Sequence, residues 1–340
     1  MPNNPTKILL STTLVGGILI SISSNSWLGA WMGLEINLMS FIPLMSSQEN
    51  IFTAEASLKY FIVQALASST LLFLVIMKAL LNQGFATGSE MHEYAIMTPL
   101  LLKMGAAPMH WWFPSVMEGL DWMNCLLLMT LQKTAPMMLS HYLIKPSLVI
   151  LTIIMASVII GALGGMNQTS LRKILTYSSI NHTGWMLAAM LGGSNMWATY
   201  FTVYSLLTSA VTMITKSFNI SFINQTMTMK SKTMIKLMLF TSMLSLGGLP
   251  PFIGFMPKWV VIQMMTMNDL SPIVVVMVMM SLVTLYYYLR VCYSSFLILQ
   301  DQVKWNTWTY KADNIVMYAV LLSSFSMMSL AVCTMMANTE

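Results

Sequence analysis

Charge is what this 340-residue chain has least of: sixteen Lys or Arg and eleven Asp or Glu, only 8% of residues. An average soluble protein carries about 25%. So few charges cannot keep the surface of a water-soluble globule of 38.0 kDa hydrated. A cytosolic enzyme and a disordered chain are excluded on that ground. Cysteine is scarcer still. Cys125, Cys292 and Cys333 stand apart in apolar runs and form no CxxC pair. That leaves no zinc or iron–sulfur spacing, and the thiols read as small buried hydrophobes. The net charge is +5, but no dense basic block with interleaved aromatics exists, which excludes a nucleic-acid surface. Met1-Pro2-Asn3-Asn4 leads straight into an apolar run, with neither an Arg-rich transit peptide nor an A-x-A site. No removable leader is therefore expected.

What fills the chain instead is hydrophobic side chains, 56% of residues, and lipid is the solvent they call for. A bilayer core needs about 20 mostly apolar residues per helix. Eleven segments meet that need: 7–24, 27–45, 57–81, 94–112, 120–143, 147–166, 172–192, 195–220, 234–255, 270–296 and 314–336. Turn residues or charges separate them, as at Ser46-Ser47-Gln48-Glu49-Asn50, Asn82-Gln83-Gly84, Lys145-Pro146 and Asn167-Gln168. Connections are short, the longest near 297–313. The sequence predicts an all-α polytopic membrane protein of about eleven transmembrane helices, one membrane domain over 1–340.

Orientation follows from the positive charges. Lys7, Lys59, Arg172, Lys173, Lys216, Lys230, Lys232, Lys236, Arg290, Lys304 and Lys311 fall on the side of the N-terminus and the even-numbered loops. Lys78 and Lys145 fall on the other. This asymmetry predicts an N-terminus on the positive side and a C-terminus across the membrane.

Four ionisable residues lie within apolar stretches: Glu35, Lys103, Lys133 near the middle of 120–143, and Lys258 after a proline-rich break. Each costs about 2.5–3.5 kcal/mol on insertion scales, which packing alone gives no reason to accept. Lys59 and Lys78, near span ends, can snorkel to the interface. The deeper four read as marks of an ion or proton route. An amine held out of water has its charged form penalised, and a nearby carboxylate restores it. A lysine whose acidic partner moves can thus exchange a proton near neutral pH. Glu35 is the acid embedded in a span, and Lys103 is the partner assigned to it here.

Two spans carry helix breakers next to a lysine. One reads Lys103-Met104-Gly105-Ala106-Ala107-Pro108-Met109-His110; the other reads Gly247-Gly248-Leu249-Pro250-Pro251 and continues to Pro257-Lys258. Proline removes a backbone donor and clashes with the preceding turn, and freed carbonyls at membrane depth are tolerated only against protein or water. The breaks fall in the fourth and ninth spans. Five apart is odd, so those spans cross in opposite directions. The layout predicts inverted five-helix repeats, 7–143 and 147–296, with 314–336 as an additional C-terminal helix. His182, among small polar residues in the seventh span, can pass protons at physiological pH, and His110 can extend the route from the first break. His92 and His141, towards span ends, receive no role.

These motifs resemble a known family. The run Leu101-Leu102-Lys103-Met104-Gly105-Ala106-Ala107-Pro108-Met109-His110-Trp111-Trp112-Phe113-Pro114 is similar to the lysine-bearing broken helix of the antiporter-like subunits of respiratory complex I. Ser178-Ser179-Ile180-Asn181-His182-Thr183-Gly184-Trp185 and the 247–259 run resemble two further motifs of that family. Trp27-Leu28-Gly29-Ala30-Trp31-Met32-Gly33-Leu34-Glu35-Ile36-Asn37 narrows the likeness to one member, in an insect-like version. The resemblance spans essentially the whole chain. It implies Glu35 and Lys103 as a modulating pair, Lys133 as the central relay and Lys258 in the second broken helix. It also implies the shorter animal form without the first three helices, a mitochondrial inner-membrane location, an N-terminus in the matrix and a C-terminus in the intermembrane space. One departure is Met109, where an aromatic is common. The 37 methionines fit an organelle code, as the resemblance implies.

The expected function is proton translocation by a core membrane subunit of an NADH:ubiquinone reductase. A changing Glu35–Lys103 distance sends a proton through Lys133 and His182 towards Lys258. No cofactor or metal is expected on this chain; FMN, iron–sulfur clusters and ubiquinone belong to other subunits. Its partners would be the membrane-arm neighbours, other antiporter-like subunits among them, and lipid. An independent cation/proton antiporter and a non-pumping structural spacer are the alternatives.

Overall fold

In oil, every backbone N–H and C=O must be satisfied inside its own segment, so long apolar runs fold as helices. The computed structural model describes residues 5–46, 50–81, 89–227 and 233–296, together with Ser324. The expected span 314–336, the connection near 297–313, Cys333, Lys230, Lys232, Lys304 and Lys311 lie outside the described residues. So does part of the turns expected at 46–50 and 82–84. Among the described residues no strand forms; one isolated antiparallel bridge joins Ser170 and Phe222.

The chain divides into two compact units, the first ending at Ile150 and the second beginning at Leu151. The first contains α1 (Pro5–Ser23), α2 (Trp27–Met45), α3 (Ile51–Leu81), α4 (Ser89–Met104), α5 (Trp112–Gly119), α6 (Trp122–Met129) and α7 (Leu131–His141). Helix α8 (Leu148–Gly165) runs across the boundary. The second unit continues with α9 (Leu171–Met190), α10 (Ser194–Ser217), α11 (Ile223–Met227), α12 (Thr233–Gly247), α13 (Phe255–Met267) and α14 (Ser271–Phe296).

Ser26 opens α2 by accepting the Gly29 amide at 3.2 Å, satisfying one of the donors a helix start leaves over. Helices α1 and α2 press backbone to backbone. A Cβ on Gly33 would stand 2.5 Å from the Ser21 nitrogen, so only glycine lets them approach so closely. Helices α2, α4 and α5 pack on α3, and α4 also meets α7. In the second unit α10 packs on α9, α12 and α13, while α12 and α13 meet α14. All of α9 except Arg172, Lys173 and Tyr177 is buried, including Ser178, Ser179, Asn181, His182 and Thr183.

Among the described residues, five helices are long and apolar enough to cross a membrane: α1, α2, α3, α8 and α14. Helices α9 and α10 are long enough but are not among them; on α9 the polar side chains from Ser178 to Thr183 are turned into protein.

Within 94–112, where the sequence places helix breakers, α4 ends at Met104 and α5 begins at Trp112. Two other segments differ from the sequence expectation. The 120–143 stretch is divided at Thr130, whose φ of −111° and ψ of −79° take it out of the helix. Lys133 sits in the first turn of α7, still near the middle of that stretch. Residues 255–267, expected to be an end and a connection, form α13.

Candidate functional site

In the first unit, α4 ends at a glycine because the chain must turn with positive φ. Gly105 has φ +71°, its amide donates to Leu102 O at 3.1 Å, and the Ala106 amide donates to Leu101 O at 3.1 Å. This pair of bonds is a Schellman closure with glycine at the left-handed position. Side chains add two further bonds to carbonyls of the last turn. The Trp112 indole donates to Leu102 O at 3.1 Å, and the Gln64 amide donates to Lys103 O at 3.4 Å. Pro108 is exposed, so the glycine faces protein while the proline faces out.

Lys103 is 7% exposed and Lys133 is 2% exposed. The Lys133 Nζ lies 4.8 Å from the centroid of the Phe113 ring, at a distance where a ring face attracts a cation. Phe113 stands in the first turn of α5, so the helix that resumes after the first break also shapes the surroundings of the second lysine. Half-buried Glu35 acts on Lys103 through space, without an ion pair between them. Lys59 instead pairs with Glu55, one turn earlier, at 2.6 Å on an exposed face.

Neutral polar side chains complete this site. Gln132 Nε2 donates to Asn37 Oδ1 at 2.9 Å, and the Tyr60 hydroxyl donates to Gln132 Oε1 at 3.1 Å. Asn37, Tyr60, Gln64, Lys103 and Gln132 line one cavity with Leu34, Leu38 and Pro136. The space open to the centre of a water molecule is about 10 Å³, room for a single water. None of these four neutral residues was singled out from the sequence. Their signal was an uncharged amide or hydroxyl within an apolar run, as with Gln64 in α3.

In the second unit, α12 closes at Gly248, with φ +82°. Here a lysine takes the place that side-chain donors fill in the first unit. Lys258 Nζ donates to Gly247 O at 2.9 Å and to Leu246 O at 3.4 Å. A cation at a helix C-terminus meets the negative end of the helix dipole. Lys258 is 5% exposed, and its Nζ is 5.8 Å from the Trp185 ring centroid. Pro250 and Pro251 are exposed. His182 is buried on α9, its Nδ1 2.8 Å from the Tyr200 hydroxyl, with the Tyr204 ring 5.1 Å away.

Glu35, Lys103 and Lys133 thus belong to the first unit, His182 and Lys258 to the second. His110 joins neither cavity: it is half-exposed in the turn after Gly105 and its Nδ1 contacts Pro108 O at 3.2 Å. Among the described residues, no group of three or more His, Cys, Asp or Glu side chains is placed to hold a metal ion.

The family described as NADH:quinone oxidoreductase/Mrp antiporter, TM, matches residues 24–284. The chain is 50% identical over 295 residues to NADH-ubiquinone oxidoreductase chain 2 of Anopheles gambiae, covering 86% of each. It is 44% identical over 335 residues to the chain 2 of Locusta migratoria, covering 98% of this chain and 97% of that one. In fold it is similar to a chain of respiratory complex I from Thermus thermophilus with bound aureothin, with a TM-score of 0.81 at 23% identity, covering 96% of this chain and 79% of that one. On these matches, the chain belongs to the NADH-ubiquinone oxidoreductase chain 2 family of antiporter-like membrane subunits.

Proposed function

We propose that this chain is a core membrane subunit of an NADH:ubiquinone oxidoreductase and carries protons across the inner membrane as electrons pass from NADH to ubiquinone. The observation that carries the reading is the burial of three lysines in a chain of membrane-type composition. Lys103 ends one interrupted helix and Lys258 caps another, while Lys133 follows the division at Thr130. Charges so placed are costly and mark ion pathways.

In this mechanism the Glu35–Lys103 separation governs when the Lys103 amine holds its proton. Lys133 accepts it as the central relay, and His182 and Lys258 carry it in the second unit, with release on the opposite side. Each charge moved works against about 2.3 kcal/mol per 100 mV. Electron transfer takes place on other subunits, where FMN, iron–sulfur clusters and ubiquinone belong; this chain's neighbours are membrane-arm subunits and lipid. The distribution of Lys and Arg supports an N-terminus in the matrix and a C-terminus in the intermembrane space. The reading keeps two five-helix units, 7–143 and 147–296, each with one interrupted helix, and 314–336 as an additional helix.

Lys103→Met or Lys133→Met in the assembled complex is expected to lower NADH–quinone turnover and the proton yield together. Unchanged coupled pumping in both would defeat the reading. A second reading, an independent cation/proton antiporter, draws on the antiporter half of the matching family's description. It predicts that the purified chain in liposomes exchanges sodium for protons without a redox partner.

A further inference from the structure

Four buried rings form a line through the first unit, and the line ends on an amine. Phe41 on α2 meets Tyr60 on α3 edge to face, with ring centroids 5.4 Å apart. Tyr60 meets Trp112 at 5.9 Å, and Trp112 meets Phe113, its neighbour on α5, at 5.4 Å. None of the four is more than 3% exposed. The Phe113 centroid then lies 4.8 Å from Lys133 Nζ on α7. A ring face attracts a cation most strongly where water is excluded, and both partners here are buried.

The line is fixed from its sides. The Trp112 indole donates to Leu102 O at 3.1 Å. The Tyr60 hydroxyl donates at 3.1 Å to Gln132, the residue before Lys133. The Phe113 amide donates to His110 O at 3.0 Å, and beside its ring stands Gly105, where an added methyl would be 3.4 Å from Phe113 Cγ. A ring so enclosed has little room to swing off the amine. Apolar filling alone would be met by leucine or methionine; what an aromatic adds is a face of negative charge.

We infer that Phe113 is a positioning residue for Lys133, its ring holding the ammonium in place against α5. The inference rests on the proton-carrying reading above and adds a neutral side chain to it. Phe113 takes up no proton and bonds to none. It acts only through Lys133, by attracting the charged amine and fixing where it stands.

The test uses membranes containing the assembled complex. Phe113→Leu keeps an apolar side chain and removes the ring. NADH–quinone turnover per assembled complex is expected to fall roughly 2- to 30-fold, the worth of a cation–π contact as water is excluded from it. The fall should lie in kcat, with the KM values for NADH and quinone unchanged. A side chain that acts through Lys133 has nothing to act on in Lys133→Met, so adding Phe113→Leu to that variant should cost no further turnover. Wild-type kcat in Phe113→Leu, or a full second loss in the double variant, overturns the inference. If Lys133→Met leaves too little turnover to read, the same cycle is read on the thermal transition of the purified complex. The shift caused by Phe113→Leu should shrink in the Lys133→Met background, and an unchanged shift overturns the inference equally. Where Phe113→Leu does not assemble, Phe113→Met replaces it in every arm. A loss in Lys133→Met with none in Phe113→Leu removes the Phe113 assignment alone, whereas no loss in either removes the proton reading.

Discussion

The Lys258 ammonium rests 2.9 Å from the carbonyl oxygen of Gly247, so the lysine that follows the second break holds the end of the helix that precedes it. Backbone that would be orphaned in oil is satisfied by the group proposed to carry the proton. Structure and chemistry are therefore tied at this residue: losing the amine removes a relay and a cap at once.

Lys258→Met is accordingly expected to destabilise as well as to slow. It strips a charged donor from the Leu246 and Gly247 carbonyls, and a hydrogen bond to a charged group contributes roughly 1.5–3 kcal/mol. Thermal denaturation of the purified complex should show a lowered transition beside the reduced turnover. Lys103→Met should reduce turnover with a smaller thermal shift, because Trp112 and Gln64, not the Lys103 amine, meet the carbonyls at the end of α4.

The two left-handed glycines separate backbone strain from displacement of an amine. Alanine at either position costs roughly 1–2 kcal/mol for its backbone conformation. At Gly105 the added methyl finds ordinary room, 3.4 Å from the Phe113 side chain. At Gly248 it would stand 2.9 Å from Lys258 Nζ and push the amine off its carbonyls. Turnover of the assembled complex should fall further in Gly248→Ala than in Gly105→Ala. Equal losses would mean that the Lys258 contact contributes nothing.

The same glycines explain what the sequence made legible. Gly105 and Gly248 stood among the expected helix breakers, and the structure gives both a positive φ, which glycine fits. The resumption of each helix was not legible. Pro114 and Pro257 each stand third in a new helix, α5 and α13, where the first turn needs no donor from proline. The division at Thr130 had no breaker to announce it. Its hydroxyl donates to Leu126 O at 2.7 Å, a local bond that any helical threonine can make. Charged candidates stood out because charge is rare here. Asn37, Tyr60, Gln64 and Gln132 carry no charge and became visible only when folding gathered them around Lys103.

Close packing of α1 on α2 gives a prediction about assembly. Gly33→Ala would drive a methyl to 2.5 Å from the Ser21 nitrogen, against backbone that cannot rotate away. Gly16, one residue before Gly17 on α1, has nothing within 4 Å of such a methyl. Gly33→Ala should sharply reduce the amount of assembled complex on native gels, and Gly16→Ala should leave it at the wild-type level.

The amide of Gln132 joins two helices that the charged residues alone would not connect, since it donates to Asn37 on α2 and accepts from Tyr60 on α3. Gln132→Leu keeps the side chain's bulk and removes both bonds. It leaves the Asn37 oxygen and the Tyr60 hydroxyl without that partner, each at a cost of roughly 1–3 kcal/mol if no water compensates. Because both line the cavity with Lys103, the loss should reach function. Turnover should fall while the complex still assembles, and Gln132→Glu, which can still accept from Tyr60, should recover part of it. Wild-type turnover in Gln132→Leu would make the network a packing device and leave Glu35 as the sole polar influence on Lys103 from α2.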